Sequence, residues 1–128
     1  MIATVLVLFI GLELKHYIAD YFLQPQWMVA DKGDTRRWGG YAHSGFHALL
    51  SAQVLLVAGV PLGPLLAIVV AEFVVHYALD FAKIRYSRGV TPDGDPKRFW
   101  SLHGLDQIFH QLTYAAMILA ALLAIGGV

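Results

Sequence analysis

Residues 65–86 read LLAIVVAEFVVHYALDFAKIRY. About 20 apolar residues suffice for a helix to cross roughly 30 Å of hydrocarbon. A run of this length is also far longer than an ordinary strand. Its first two-thirds are apolar except for Glu72 and His76, and Asp80, Lys83 and Arg85 follow toward its end. Glu72, His76 and Asp80 are four residues apart. In a helix that spacing stacks them on one face, a turn from each other. Ionisable groups in lipid are costly, so such a row marks a functional site by default.

Three more hydrophobic segments flank this one. Gly59-Val60-Pro61-Leu62-Gly63-Pro64 makes a tight connection back to a segment over about residues 41–60. A first segment, about 2–23, ends at Gln24-Pro25, because proline disfavours a helical residue before it. A last segment, about 101–125, opens at Ser101 as its N-cap. None has a fully polar face to turn toward water, which argues against a buried soluble hairpin. The expected fold is all-α: a four-helix transmembrane antiparallel bundle, one domain over residues 1–128, with loops at about 24–40 and 87–100. The N-terminal stretch lacks the basic start and cleavage site of a secretory signal peptide and reads as a retained membrane helix.

Composition agrees. Hydrophobic residues are 58% of the chain, where soluble domains have about 45–50%. Charged residues are 14%, against about 25%. The formal net charge is zero and there is no phosphate-cradling glycine loop, so no nucleic-acid partner is expected. The absence of cysteine excludes disulfides, thiolate ligands and a cysteine nucleophile.

Basic residues set the orientation. The first loop holds Lys32, Arg36 and Arg37, and the third holds Arg85, Arg88, Lys97 and Arg98. Both should face the cytoplasm, with both termini outside, in the inner (cytoplasmic) membrane. Trp27, Trp38 and Trp100 lie on the same side, where interfacial anchors belong.

This topology brings the ionisable groups to one depth. His16 and Asp20 come late in an inward helix, and His43 and His47 early in an outward one. His76 and Asp80 come late in the third, and His103, Asp106 and His110 early in the fourth. Four antiparallel neighbours would let them converge in the cytoplasmic half of the bundle. Imidazole and carboxylate donors together suit a divalent metal, with zinc or manganese favoured, as one or two ions. The metal-ligand candidates are His16, Asp20, His43, His47, His76, Asp80 and His110, with Asp20 and Asp106 as ligands or orienters. Glu72, one turn deeper than His76, is the general-base candidate, and Asp106 joins it in the catalytic set. A water-activating metal would make a hydrolytic centre, and its depth points to a lipid-like or amphiphilic substrate.

Two other readings stand beside the hydrolase. A polar network can tie membrane helices together without catalysis, around a structural metal or none. Chains of Asp, Glu and His also mark ion and proton paths; the outer halves of these helices offer no polar steps to the far side, which argues against a conduit within one chain but leaves one built by an oligomer. Lys15 is expected to snorkel toward the cytoplasmic surface, and Glu13 to join the deep end of the cluster or face outward. Lys83 pairs with Asp80 or meets a substrate phosphate. The third loop, with its Pro92-Asp93-Gly94 turn, is placed to cover the mouth of the cluster. The alanine-rich fourth segment suggests close packing or a homo-oligomer.

These motifs together resemble a known family. Lys15-His16-Tyr17-Ile18-Ala19-Asp20-Tyr21-Phe22-Leu23-Gln24 is similar to the opening of the bacterial and phage membrane proteins of domain of unknown function 3307. His43-x-x-x-His47, Glu72-Phe73-x-x-His76-x-x-x-Asp80-x-x-Lys83 and Asp106-Gln107-x-x-His110 resemble the same family, over about residues 12–112. The resemblance implies a small multi-helix membrane protein and no particular activity. A looser similarity of style, in site and topology only, is to small inner-membrane proteins labelled as metal-dependent hydrolases.

Overall fold

The structure, a computed structural model, describes residues 1–126, so the last two residues of the expected 1–128 domain lie outside the described residues. Its elements are α1 (Ile2–Tyr21), α2 (Gln26–Asp31), α3 (Gly39–Val57), α4 (Leu62–Tyr86) and α5 (Pro96–Ile125). Among the described residues every regular element is a helix, as the periodicity indicated. Three helices, α1, α4 and α5, are long and apolar enough to cross a membrane, the hallmark of a membrane protein. The exception is α3, whose first half carries Gly39, Gly40, His43, Ser44, Gly45 and His47 in place of aliphatic residues.

The helix ends follow capping chemistry. The last helix starts at Pro96, ahead of the expected Ser101, because Asp95 caps it by accepting the Arg98 amide at 3.1 Å. Proline at the first helical position gives up an amide that has no partner there anyway. For the same reason α4 begins at Leu62 and keeps Pro64 in its first turn. The six-residue α2, which follows Pro25, is too short for a periodic pattern to reveal.

The long helices pack in a closed order: α1 on α3, α3 on α4, α4 on α5, and α5 on α1, with α2 laid on α3. Each contributes one buried stripe. On α1 it is Leu8, Leu12, Lys15 and Ala19; on α3 it includes His43, His47, Ser51 and Leu55. On α4 it is Leu65, Ile68, Glu72, His76 and Asp80; on α5 it is Asp106, His110, Tyr114, Met117 and Ala121. The stripes of α3, α4 and α5 are apolar at one end and ionisable at the other, and α1 carries Lys15 between Leu12 and Ala19. The apolar ends meet in one cluster that joins Leu8, Leu12 and Leu55 with Leu65, Ile68, Met117 and Ala121. The ionisable ends therefore meet as well, by the same register. Outside, aliphatic residues such as Leu6, Leu49, Leu66 and Leu119 are at least half exposed. Between apolar helices in lipid the attraction is close packing rather than water exclusion. Gly11 supplies some of it, since a Cβ there would sit 2.6 Å from Val54 Cγ1.

Candidate metal centre

Two carboxylates organise the ionisable end. Asp20 hangs from the last turn of α1. Its Oδ1 lies 3.0 Å from His47 Nε2 and 3.2 Å from His43 Nε2, both on α3. Its Oδ2 lies 3.2 Å from His16 Nε2, one turn back on α1. Asp80, near the end of α4, reaches the other side of the same cluster. Its Oδ2 is 3.5 Å from His43 Nε2 and 3.6 Å from His76 Nε2, and its Oδ1 is 3.7 Å from His110 Nε2. The rings stand in contact, with centroids 3.8 Å apart for His47 and His76 and 4.4 Å apart for His76 and His110.

Donor atoms converge in two groups that share His76. One is Asp20, His43, His47 and His76; the other is His76, Asp80 and His110. Within each group the ligating atoms lie within 4.8 Å of one another. The nitrogens of His43, and Nε2 of both His76 and His110, are buried without a hydrogen-bond partner. Buried polar atoms are rarely left so, and a place for a bound ion is one standard reason. The donor set is all nitrogen and oxygen, which a borderline divalent ion accepts. The residues present thus fit such an ion.

Hydrogen bonds behind the cluster orient individual rings. His110 Nδ1 donates to the Asp106 carbonyl at 2.8 Å, so in the neutral ring Nε2 carries the free lone pair, facing Asp80. Asp106 is itself held, its Oδ2 accepting from Lys83 Nζ at 2.9 Å and from Gln107 Nε2 at 3.0 Å. Support of this kind fixes a ligand's tautomer and angle. His16 has partners on both nitrogens: Nδ1 is 2.7 Å from the Tyr114 hydroxyl, and Nε2 is 3.3 Å from Gln107 Oε1.

Lys15 corrects one expectation. Its side chain is 4% exposed and does not reach the surface. It forms an ion pair and hydrogen bond with Glu72 Oε1, and its ammonium also lies 3.1 Å from His47 Nδ1. An ammonium only donates, so Nδ1 accepts, and His47 is left to donate through Nε2 to Asp20. The cause is register, because Lys15 lies on the buried stripe with Leu8, Leu12 and Ala19. Glu72 therefore faces Lys15, one residue removed from the histidines.

A sequence model of the family described as "Protein of unknown function (DUF3307)" matches residues 7–126. The chain belongs to the DUF3307 family. No curated protein and no solved structure matches it. The match contains every residue of the cluster, as the resemblance of its motifs implied. In this DUF3307 member the residues expected at the site fall into clear places. Asp20, His43, His47, His76, Asp80 and His110 come together. His16, Asp106 and Glu72 sit around them as hydrogen-bond and ion-pair partners. His103 stands apart, half-buried beside the Trp100 ring at 5.9 Å, and Glu13 lines an outer groove with Phe9 and Gln111. Lys83 pairs with Asp106 rather than Asp80.

Two participants were missed. Tyr114 continues the Asp106–His110 row by one more turn, so its spacing already carried the signal. Lys32 forms an ion pair with Asp80 from the first loop, and no sequence pattern marks it. The first loop therefore covers this part of the cluster, whereas residues 91–98 of the third loop are exposed.

Proposed function

We propose that this chain is a metal-binding protein embedded in the cytoplasmic (inner) membrane, with a hydrolytic centre in the cytoplasmic half of the bilayer. In this reading α1, α3, α4 and α5 cross as an antiparallel four-helix bundle, and both termini lie outside. The basic loops support that orientation, and so do Trp27, Trp38 and Trp100, exposed by 52%, 79% and 61% at the loop-bearing end. The lipid bilayer covers the exposed aliphatic faces, and the outward alanines of α5 leave room for a second copy.

The observation that carries the proposal is the set of three buried, unpartnered Nε2 atoms, on His43, His76 and His110, aimed at Asp20 and Asp80. Zinc or manganese, as one or two ions, is the cofactor that fits this donor set. Such an ion supplies Lewis acidity toward a carbonyl or phosphoryl oxygen. The chain's own groups do the rest. Asp106 fixes His110, and Lys15 holds His47 so that it donates to Asp20. Asp20 is the carboxylate a substrate can reach, since its side chain is 23% exposed while that of Glu72 is fully buried. A proton-accepting role therefore suits Asp20 better than Glu72. An amphiphile with an ester or phosphoester at headgroup depth is the substrate class that fits.

Burial favours a second reading, a closed structural site: His43, His47 and His76 are at most 2% exposed. The two differ in whether a coordination position stays open. Purified protein in detergent, supplied with zinc or manganese, should cleave a long-chain p-nitrophenyl ester or phosphoester and lose that activity in Asp20→Asn. Stoichiometric metal with no turnover of either substrate would leave the closed, non-enzymatic site as the function.

A further inference from the structure

The first loop is built to deliver Lys32 into the cluster. Asp31 ties the end of α2 to the start of α3, its Oδ2 accepting the Gly39 amide at 3.1 Å and its Oδ1 accepting from Arg37 Nη1 at 3.1 Å. Gly33 follows Lys32 with φ +86°, and a Cβ there would meet Ile84 Cγ2 at 2.6 Å. Only glycine lets the chain turn this way while lying on α4. The turn sends the Lys32 side chain, 11% exposed, inward, where Nζ lies 2.6 Å from Asp80 Oδ2. That oxygen makes no well-directed hydrogen bond, so the contact is an ion pair by proximity. The same oxygen faces His43 Nε2 at 3.5 Å and His76 Nε2 at 3.6 Å. A tethered ammonium thus touches the carboxylate oxygen on which two free imidazole nitrogens converge.

We propose that Lys32 is the built-in competitor of the metal ion at Asp80. The ammonium neutralises Asp80 while the metal is away, and a divalent ion taking that oxygen displaces the lysine and loosens the first loop. The inference rests on the metal reading and adds its regulation: metal affinity is set by the loop, and loop position reports occupancy. Two cations on one buried carboxylate oxygen repel each other, whereas a charge on an exposed arm of the loop is screened by water.

The test is zinc affinity of the full chain in detergent, read by competition with a chromophoric chelator. Lys32→Met keeps most of the length and removes the charge, and Lys32→Gln is a second neutral variant should the first fail to fold. Either should bind zinc about 10–100-fold tighter than the wild type, within the range by which one neighbouring opposite charge shifts the proton affinity of a carboxylate. Arg36→Gln removes a charge from the same loop where the side chain is 88% exposed, and should leave affinity unchanged. A spin label on Arg36→Cys, in a chain with no other cysteine, should gain mobility when zinc is added. Equal affinity of wild type and both Lys32 variants overturns the competition while leaving the metal reading intact. Equal tightening by Arg36→Gln overturns it too, in favour of general electrostatics. Zinc binding by none of the proteins overturns the metal reading and this inference together.

Discussion

Replacing Lys15 by methionine should be among the most damaging single changes in the molecule. Lys15 and Glu72 are both buried, at 4% and 0% side-chain exposure, and pair across α1 and α4. Lys15→Met leaves the Glu72 carboxylate in the interior with no cation, and Glu72 Oε2 already has no partner. Breaking a buried pair by removing one partner costs about 3–5 kcal/mol. Removing both charges is different, because the desolvation of each ion disappears with it. In Lys15→Met/Glu72→Leu the residual loss should be about 1 kcal/mol, the worth of the hydrogen bond that His47 Nδ1 loses. The assay is reversible unfolding in mixed detergent micelles, with both single variants and the double. A loss below about 1 kcal/mol for Lys15→Met, or a double variant no better than the worse single, would mean that Lys15 and Glu72 do not depend on each other as a buried pair. Metal binding retained by the double variant would further show that Glu72 acts as a structural partner of Lys15.

Other consequences are open to direct measurement. Asp106→Asn weakens the hold on Lys83 and removes the charge 3.6 Å from His110 Nδ1, while the backbone carbonyl that accepts from Nδ1 is kept, so metal affinity should fall by no more than about 10-fold in a chelator competition. Gly33→Ala forces a left-handed residue against Ile84 and should destabilise the protein by roughly 1–3 kcal/mol in the same unfolding assay. Metal affinity should fall as pH is lowered, because protons compete for the imidazole nitrogens, and a titration that is flat down to acid pH would contradict imidazole ligation. A cysteine at Asp93, in the exposed third loop, should react with an impermeant maleimide only from the cytoplasmic side, and labelling from outside would reverse the assigned topology.

Particular residues show how far the sequence could be read. The four-residue rows of α3, α4 and α5 disclosed the cluster because a helix converts spacing into facing direction. The helix starts at Leu62 and Pro96 were less legible, although Asp95-Pro96 is a capping signal that outweighs Ser101. Lys15 was misjudged on chemistry: a lysine near a membrane surface snorkels unless its stripe turns it inward, and Leu8, Leu12 and Ala19 define that stripe. Lys32 could not have been found, because its position depends on a loop closing over α4, a contact between segments far apart in the chain.

In the proposed centre His43, His76 and His110, with Asp20 and Asp80, hold a metal ion. Elemental mass spectrometry of the purified protein, wild type beside His76→Ala, tests it most directly, since His76 belongs to both groups of converging donors. Stoichiometric zinc or manganese is expected in the wild type, and its loss in His76→Ala while the helical circular dichroism is retained. Wild-type protein without stoichiometric metal, even after loading, or a His76→Ala variant that keeps the full complement, would contradict it.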